Sequence, residues 1–97
     1  MKINQNIERY NISNLEEIVI TIKNLKHIND TILEASKFAR TKASLLGDSF
    51  TSINFERIME SLDLFVNRLT VNSEQLVELL GSVKELYERV YIAWKKS

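Results

Sequence analysis

The spacing of apolar residues in the second half of the chain limits what it can fold into. From Phe55 to Ala93 these residues recur every three or four positions, and Asn72 is the only polar member of the series. Such alternating steps are typical of a helix that packs along one seam, as in a coiled coil. The chain has no proline and two glycines, so few residues would end a helix or build a hairpin turn. The sequence therefore predicts an all-α fold.

The first half of the chain has the same rhythm. Its apolar series runs from Leu15 to Leu46, with a few small or polar members. Ser13 and Glu16 form a capping box, in which the serine hydroxyl and the glutamate carboxylate each accept a hydrogen bond from a backbone amide at the start of a helix. We therefore predict a first helix at about 13–46.

The only dense turn signal lies at residues 47–49. Its first residue, Gly47, suits the left-handed position that often follows a helix. A second helix is then predicted at about 52–95, and the polar residues 1–12 are predicted to form a flexible or weakly ordered arm. No linker separates the two helices into different domains, so we expect one helical-hairpin domain.

An antiparallel hairpin that folds back at the glycine turn has a register that can be written down. Facing residues of the two series then have position numbers that add to 101, and small residues of the first series face large residues of the second. The same register places Asn29 opposite Asn72. Two facing amides can satisfy each other, whereas a slipped register would leave both unpaired. We therefore predict that these two asparagines fix the register.

Each half carries a second set of apolar residues beside its seam. A two-helix hairpin buries only one stripe per helix, which seldom stabilises an isolated domain. The second set therefore predicts association into a four-helix bundle, although scattered apolar residues are also common on any protein surface. The set comprises Val19, Ile28, Leu33, Ala35, Phe38 and Leu45 in the first half, and Met59, Val66, Val77, Leu80, Tyr87, Tyr91, Ile92 and Trp94 in the second.

The end of the second helix carries an aromatic ridge. Tyr87, Tyr91 and Trp94 follow the spacing i, i+4, i+7, and aromatic side chains are frequent anchors of protein interfaces. Together with Phe38 and Leu80 they are our predicted partner interface. The alternative is that the three aromatic residues cover the open end of a bundle.

Residues that carry out catalysis or bind metals are scarce. The chain has no cysteine and a single histidine, His27, so a His-based metal site or a catalytic triad lacks partners. Glutamate pairs at i, i+4, such as Glu56 with Glu60, lie on a helix face without the Glu-x-x-His pattern of di-metal bundles. There is also no glycine-rich phosphate loop. The sequence predicts no enzymatic activity, no metal and no cofactor.

The charge balance excludes further classes of partner. Thirteen Lys and Arg residues are matched by thirteen Asp and Glu residues, whereas nucleic-acid binders normally have a basic excess. No apolar run is long enough for a membrane span. We therefore expect no nucleic acid and no membrane insertion, and a protein partner that binds through apolar surface.

The chain resembles the WXG-type small helical hairpins of the type VII secretion system. The resemblance covers about residues 13–94 and rests on the capped first helix, the mid-chain glycine turn and the longer second helix. At the turn, Leu45 and Gly47 stand at the tryptophan and glycine positions of a stretch that resembles the family's W-x-G motif, and Phe50 follows it. The Tyr-x-x-x-acid export signal of some family members is absent, because Tyr91 is followed by Lys95.

This resemblance implies a helical bundle made with another protein. The partner would be a second copy, a second small hairpin protein, or the helical N-terminal domain of a larger secreted toxin. It also implies a role as a secretion partner or targeting chaperone. The location would be cytoplasmic before export by a route that needs no signal peptide. The alternative is a cytoplasmic immunity protein, an antitoxin or a phage-type helical adaptor with the same fold.

Overall fold

A computed structural model describes the backbone of residues 5–47 and 53–96, and the side chains of residue 9 and of residues 11–47 and 54–96. These residues form two helices, α1 (Gln5–Leu46, 42 residues) and α2 (Ile53–Lys96, 44 residues). The predicted all-α helical hairpin is confirmed. The boundaries of α2 also agree with the sequence, with Glu56 in its first turn and lysines in its last turn, where each charge is favourable for the helix dipole.

Helix α1 begins eight residues before its predicted start. Residues 5–12, which the sequence assigns to a flexible or weakly ordered arm, are helical, so Ser13 lies inside the helix and does not cap it. Ile12 continues the helical spacing and is only 8% exposed. The guanidinium of Arg9 lies 5.9 Å from the centre of the Trp94 ring. These tertiary contacts extend α1 past the local capping signal. Residues 1–4 are outside the described range.

Gly47 ends α1 without a left-handed backbone. Neither glycine has a positive φ, so the predicted left-handed cap is wrong. The Gly47 amide donates to the Ser44 carbonyl at 3.1 Å. A Cβ at this position would lie 3.1 Å from that oxygen and 3.2 Å from the Phe55 ring. Glycine is therefore needed because the first turn of α2 approaches closely.

The chain divides into two compact units. The terminal unit pairs α1 up to Lys26 with α2 from Gln75, and the turn unit comprises His27–Glu74. In both units the partners of the cross-helix contacts show that α1 and α2 are antiparallel. Glu16 contacts Tyr87 in the terminal unit, and Asp30 contacts Ser73 in the turn unit. The position numbers of each pair add to 103, and those of Gly47 and Phe55 add to 102.

The side chains between the helices form rows that differ in part from the predicted seams. Half of each predicted seam faces inward, including Leu15, Ile22, Leu69 and Val83. The other half is exposed, and the residues one position further along the chain face inward instead. The exposed members include Ile18, Leu25, Ile32, Ile58, Phe65, Leu79 and Leu86, and the residues that replace them include Val19, Leu33, Met59, Val66, Leu80 and Tyr87. The predicted register is therefore wrong by about one residue.

The buried core is small for a chain of this mass. Among the described residues, the buried apolar side chains are Ile12, Ile22, Leu33 and Leu69, and sixteen large apolar side chains are 42–66% exposed. The accessible surface is 7681 Å², whereas the area–mass relation for monomeric globular proteins gives about 5,700 Å². Much apolar surface is thus left uncovered in the single chain.

Candidate protein-binding surface

The two outer sides of the hairpin can be defined from the heptad positions of the inner rows. With Leu15 and Phe55 labelled as position a, the inward-facing rows are a and e in both helices. At 100° per residue, positions b and f then lie on one side of each helix and c, d and g on the other. In an antiparallel pair, equal positions of the two helices lie on the same side. We call these the polar side (b and f) and the apolar side (c, d and g).

The polar side is closed by hydrogen bonds between the helices. In the terminal unit the Tyr87 hydroxyl donates to the Glu16 carboxylate at 3.0 Å. In the turn unit the Ser73 hydroxyl donates to Asp30 at 2.8 Å, and the Arg40 guanidinium donates to Asp63. Each contact joins an e position to a b position. The two contacts of the turn unit confirm that the b rows of both helices share one side there, and the contact of the terminal unit places the b row of α1 beside the e row of α2.

The apolar side of the turn unit is exposed. Among the described residues of this unit (27–47 and 54–74), nine large apolar side chains are exposed. All nine occupy positions c, d or g, and their exposed fractions run from 42% to 66%. The contribution of α1 is Ile28, Ile32, Phe38, Leu45 and Leu46. That of α2 is Ile58, Leu64, Phe65 and Val71. The unit therefore presents two helices whose outward apolar residues lie on the same side.

Charges in the turn unit separate by sign between its two sides. The charged residues described on the apolar side are Lys42, Arg57 and Arg68, and all three are exposed. The Lys42 ammonium lies 5.3 Å from the centre of the Phe38 ring, at the edge of the exposed apolar residues. The described acidic residues all occupy b or f positions, and these are Asp30, Glu34, Glu56, Glu60, Asp63 and Glu74. The described rim of the apolar side, formed by Lys42, Arg57 and Arg68, therefore consists of cations alone.

The terminal unit shows no such separation. Among its described residues, seven exposed large apolar side chains are distributed over positions b, c, d and f: Ile18, Ile20, Leu25, Val77, Leu79, Leu86 and Ile92. Charges of both signs lie among its c and g positions, where Glu85 accepts a hydrogen bond from Arg89 at 2.7 Å. An apolar surface with a rim of one charge is thus a property of the turn unit.

The predicted aromatic ridge packs against α1 in the terminal unit. Tyr87 and Tyr91 stack with ring centres 5.9 Å apart and planes 16° apart. The Trp94 ring is also 5.9 Å from Tyr91, at 44°. Tyr87, Trp94 and Leu80 are half-buried on the inner e row. This placement fits the alternative in which the aromatic residues cover the end of the helix pair.

Phe38 is the one residue of the predicted partner interface that lies on the apolar side of the turn unit. Its side chain is 64% exposed, and it belongs to α1 near the cation Lys42. Of the turn-motif residues, Leu45 is 66% exposed on the same side. Gly47 makes the close approach described above, and Phe50 lies outside the described residues.

The predicted asparagine pair does not form. The Asn29 side-chain amide donates to the backbone carbonyl of Leu69 at 2.9 Å, and Asn72 is exposed. The predicted pairing is wrong because Asn72 does not belong to a row that faces α1. The residue of α2 that faces α1 is the next one, Ser73. An asparagine still spans the seam, but its acceptor is backbone and not a second amide.

The hydroxyl of Tyr87 is affected by the contact with Glu16. Donation of its hydrogen bond to that carboxylate is the main cause that raises the pKa of Tyr87 above the ordinary tyrosine value. The negative charge of Glu16 acts in the same direction, since it disfavours a second negative charge nearby. The contact therefore links the protonated tyrosine to the packing of the terminal unit.

Metal-binding side chains are not clustered in the described part of the chain. No group of three or more His, Asp or Glu side chains within them could hold a metal ion, and His27 is exposed. Neither helix, over its described length, has an apolar stretch that could cross a bilayer. A groove of about 410 Å³ in the terminal unit is lined by Val19, Ile20 and Tyr87 and by three charged residues, Glu16, Lys84 and Glu88.

Comparisons with known proteins do not assign the chain to a family. No family model, no curated protein and no solved structure matches it. The functional interpretation therefore depends on the surface of the turn unit and on the sequence resemblance given above.

Sequence reasoning missed the most distinctive part of this surface. Ile32, Ile58 and Phe65 were assigned to the seam, where they would be covered. The charge balance of the whole chain does not show the separation, because cations and anions on opposite sides of the turn unit cancel in the sum. A signal was present, since the acidic residues between 27 and 74 avoid positions c, d and g. Sorting charges by heptad position would have found it.

Proposed function

We propose that this protein is a non-enzymatic protein-interaction module whose turn unit packs its apolar side against helices of another protein. The observation that carries the proposal is that the nine exposed large apolar residues described in that unit all lie on one side. Scattered surface apolar residues are ordinary, whereas a contiguous apolar surface with a charged rim is typical of an interaction site.

The size of the surface favours a helical partner over a small ligand. The exposed fractions of the nine side chains add up to about five fully exposed side chains. Covering them is worth roughly 7–15 kcal/mol, at about 1.5–3 kcal/mol for each side chain. Association costs about 4–15 kcal/mol in lost freedom. A partner must therefore cover most of the surface, which paired helices in a four-helix bundle achieve.

The resemblance to WXG-type hairpins supports a role for this interaction in type VII secretion. In this proposal the protein is a secretion partner or targeting chaperone, and its partner is the helical N-terminal domain of a larger secreted toxin. Neither Tyr87 nor Tyr91 is followed by an acidic residue at the fourth position, so in this proposal the partner supplies the export signal. The protein would then act in the cytoplasm before export, or leave the cell as part of the complex.

Co-purification with a toxin tests this proposal. The protein is co-expressed with the separate N-terminal and catalytic domains of helical toxins encoded beside it, and complexes are isolated and weighed. We expect a complex with the N-terminal domain that is lost in Phe65→Asp, because this substitution places a charge in the centre of the apolar side. Ile20→Asp is the matched control, since Ile20 is 58% exposed on the polar side of the terminal unit.

Two outcomes would contradict the proposal. Binding to the catalytic domain, with neutralisation of toxicity in the absence of any secretion machinery, would identify an immunity protein. Equal loss of binding in Phe65→Asp and Ile20→Asp would show that the apolar side of the turn unit is not the site. Circular dichroism of both variants must first show unchanged helix content.

A further inference from the structure

We infer that the partner of the turn unit is a different protein whose own apolar stripe is edged by Asp and Glu residues, and not a second copy of this chain. The inference deepens the proposed function and rests on it, since it concerns the chemistry of the partner at the same surface. It depends on the sign of the charges around the apolar side. The sign is independent of the apolar area that supports the docking itself.

The rim of the apolar side is cationic in both helices. Lys42 lies beside Phe38 in α1. In α2, Arg57 at a c position and Arg68 at a g position are exposed among the apolar residues Leu64 and Phe65. Charged residues at the rim of an interface attract a partner of opposite charge during association. They disfavour a partner of the same charge, because like charges brought together are unfavourable. The preferred partner therefore carries carboxylates around its own apolar residues.

A second copy does not meet this requirement. In a two-fold dimer the same surface of each protomer faces the other. Two turn units joined through their apolar sides would bring three cations from each, and the described acidic residues all lie on the polar side, among them Asp30 and Glu60. Six cations would then surround one apolar interface without a carboxylate from either copy. The charge pattern thus disfavours the homodimer that the apolar surface alone would permit.

An anionic membrane surface is a weaker match than a protein. Helices that lie in the bilayer interface have a polar face rich in Lys and Arg. The polar side of the turn unit instead holds six described acidic residues, and the described side chains of the unit total five cations and six anions. The outward residues also follow helical spacing on two antiparallel helices, which suits packing against other helices.

A charge-reversed variant of the chain provides the acidic rim for a direct test. The triple variant Lys42→Glu, Arg57→Glu, Arg68→Glu keeps the apolar residues and changes only the rim. Sedimentation equilibrium would be measured for wild type alone, for the variant alone and for their mixture. We expect a Kd for the mixed complex at least about tenfold lower than for either homodimer, from several rim pairs that are each weak. High salt should remove the difference.

The control reverses charges on the other side of the same unit. In Glu34→Lys, Glu60→Lys, Glu74→Lys the number of changes is the same, but the residues lie on the polar side. Mixing this variant with wild type should give no preferential complex. Helix content of both triple variants is checked by circular dichroism, and the single variant Arg68→Glu, with a smaller preference of the same sign, replaces the triple variant if that one does not fold.

Several results would overturn the inference. A tight wild-type homodimer that is lost in Phe65→Asp would identify a second copy as the occupant. Equal affinity in wild type alone, in the variant alone and in their mixture would show that the rim does not select a partner. Sedimentation of the wild type with phosphatidylserine vesicles, abolished by the triple reversal, would point to a lipid surface. Each of these can occur while the toxin domain still binds, so the failure of the inference is distinct from failure of the proposed function.

Discussion

The turn unit and the terminal unit distribute polar and apolar residues differently. Inner rows of the turn unit hold Asn29, Ser36 and Ser73, and nine large apolar residues of the same unit are exposed on one side. In the terminal unit the inner rows are mostly aliphatic and aromatic, and exposed apolar residues are spread around the helices. The turn unit thus does not lack apolar residues. It places them where a partner can cover them.

The polar seam of the turn unit is well satisfied. Asn29 donates to the Leu69 carbonyl, and the buried Ser36 hydroxyl donates to the Ile32 carbonyl at 2.7 Å. No buried side-chain nitrogen or oxygen in the described part of the chain lacks a partner. Satisfied polar groups avoid the penalty of desolvation, but each contributes only about 1 kcal/mol net. We therefore expect the turn unit to be the less stable of the two in the absence of a partner.

Two neighbouring residues of the turn unit give the largest expected effect. Leu33 is 8% exposed on the inner row and Ile32 is 42% exposed on the apolar side. Leu33→Ala should lower the free energy of unfolding by about 2–3 kcal/mol, the range for a buried leucine with room to relax. Ile32→Ala should lower it by less than about 1 kcal/mol. Urea denaturation followed by circular dichroism measures both.

The same pair separates stability from partner binding. Ile32→Ala should weaken the complex with the partner more than it weakens the fold, because its side chain is exposed in the single chain. If Ile32→Ala lowered the free energy of unfolding more than Leu33→Ala, then Ile32 would lie between the helices, as the sequence predicts. This result would also remove the basis for the exposed apolar side.

The two glycines provide a second comparison, of opposite sign. A Cβ at Gly47 in the turn unit would lie 3.1–3.3 Å from the Ser44 carbonyl and the Phe55 ring, whereas nothing lies within 4 Å of a Cβ at Gly81 in the terminal unit. Gly81→Ala should therefore stabilise the protein by about 0.5–1 kcal/mol through helix propensity. Gly47→Ala should destabilise it by about 1 kcal/mol through crowding at the helix end.

Thermal denaturation of the two glycine variants measures the difference. A stabilising Gly47→Ala would mean that α2 does not approach the end of α1 as closely as the Phe55 contact indicates. A destabilising Gly81→Ala would indicate that this position is covered in solution, for example by a partner helix. In that case the terminal unit would also take part in association.

Periodicity predicted the helices but could not choose between neighbouring apolar rows. Ile32 and Leu33, or Leu79 and Leu80, are about equally apolar, so both positions fit the three-four spacing. Contacts outside the pattern separate them, among them the approach of Phe55 to Gly47. These depend on which backbone and side-chain atoms meet between the helices, and a count of apolar positions does not contain that information.

The start of α1 and the candidate site were hidden for related reasons. The capping box at Ser13 is a local signal, and it was overridden by contacts of Ile12 and Arg9 with the rest of the terminal unit. At the candidate site, Phe65 and Ile58 look like core residues in the sequence because exposed and buried apolar residues have the same spacing. The charge signs around them carried the missing information.

The smallest expected effect tests the hydrogen bond that closes the polar side of the terminal unit. Because the pKa of Tyr87 is raised by its contact with Glu16, the folded chain favours the protonated hydroxyl. The stabilisation is therefore fully present below the ordinary tyrosine pKa of about 10 and is lost as the pH rises through the higher folded value.

The stability difference between wild type and Tyr87→Phe should vanish in this alkaline range. Urea denaturation of both proteins at neutral and alkaline pH measures it, with Glu16→Gln as the control that lowers the pKa. A difference that stayed constant through tyrosine ionisation would show that packing of the ring, shared with Tyr91, and not the hydroxyl, secures this end of the terminal unit.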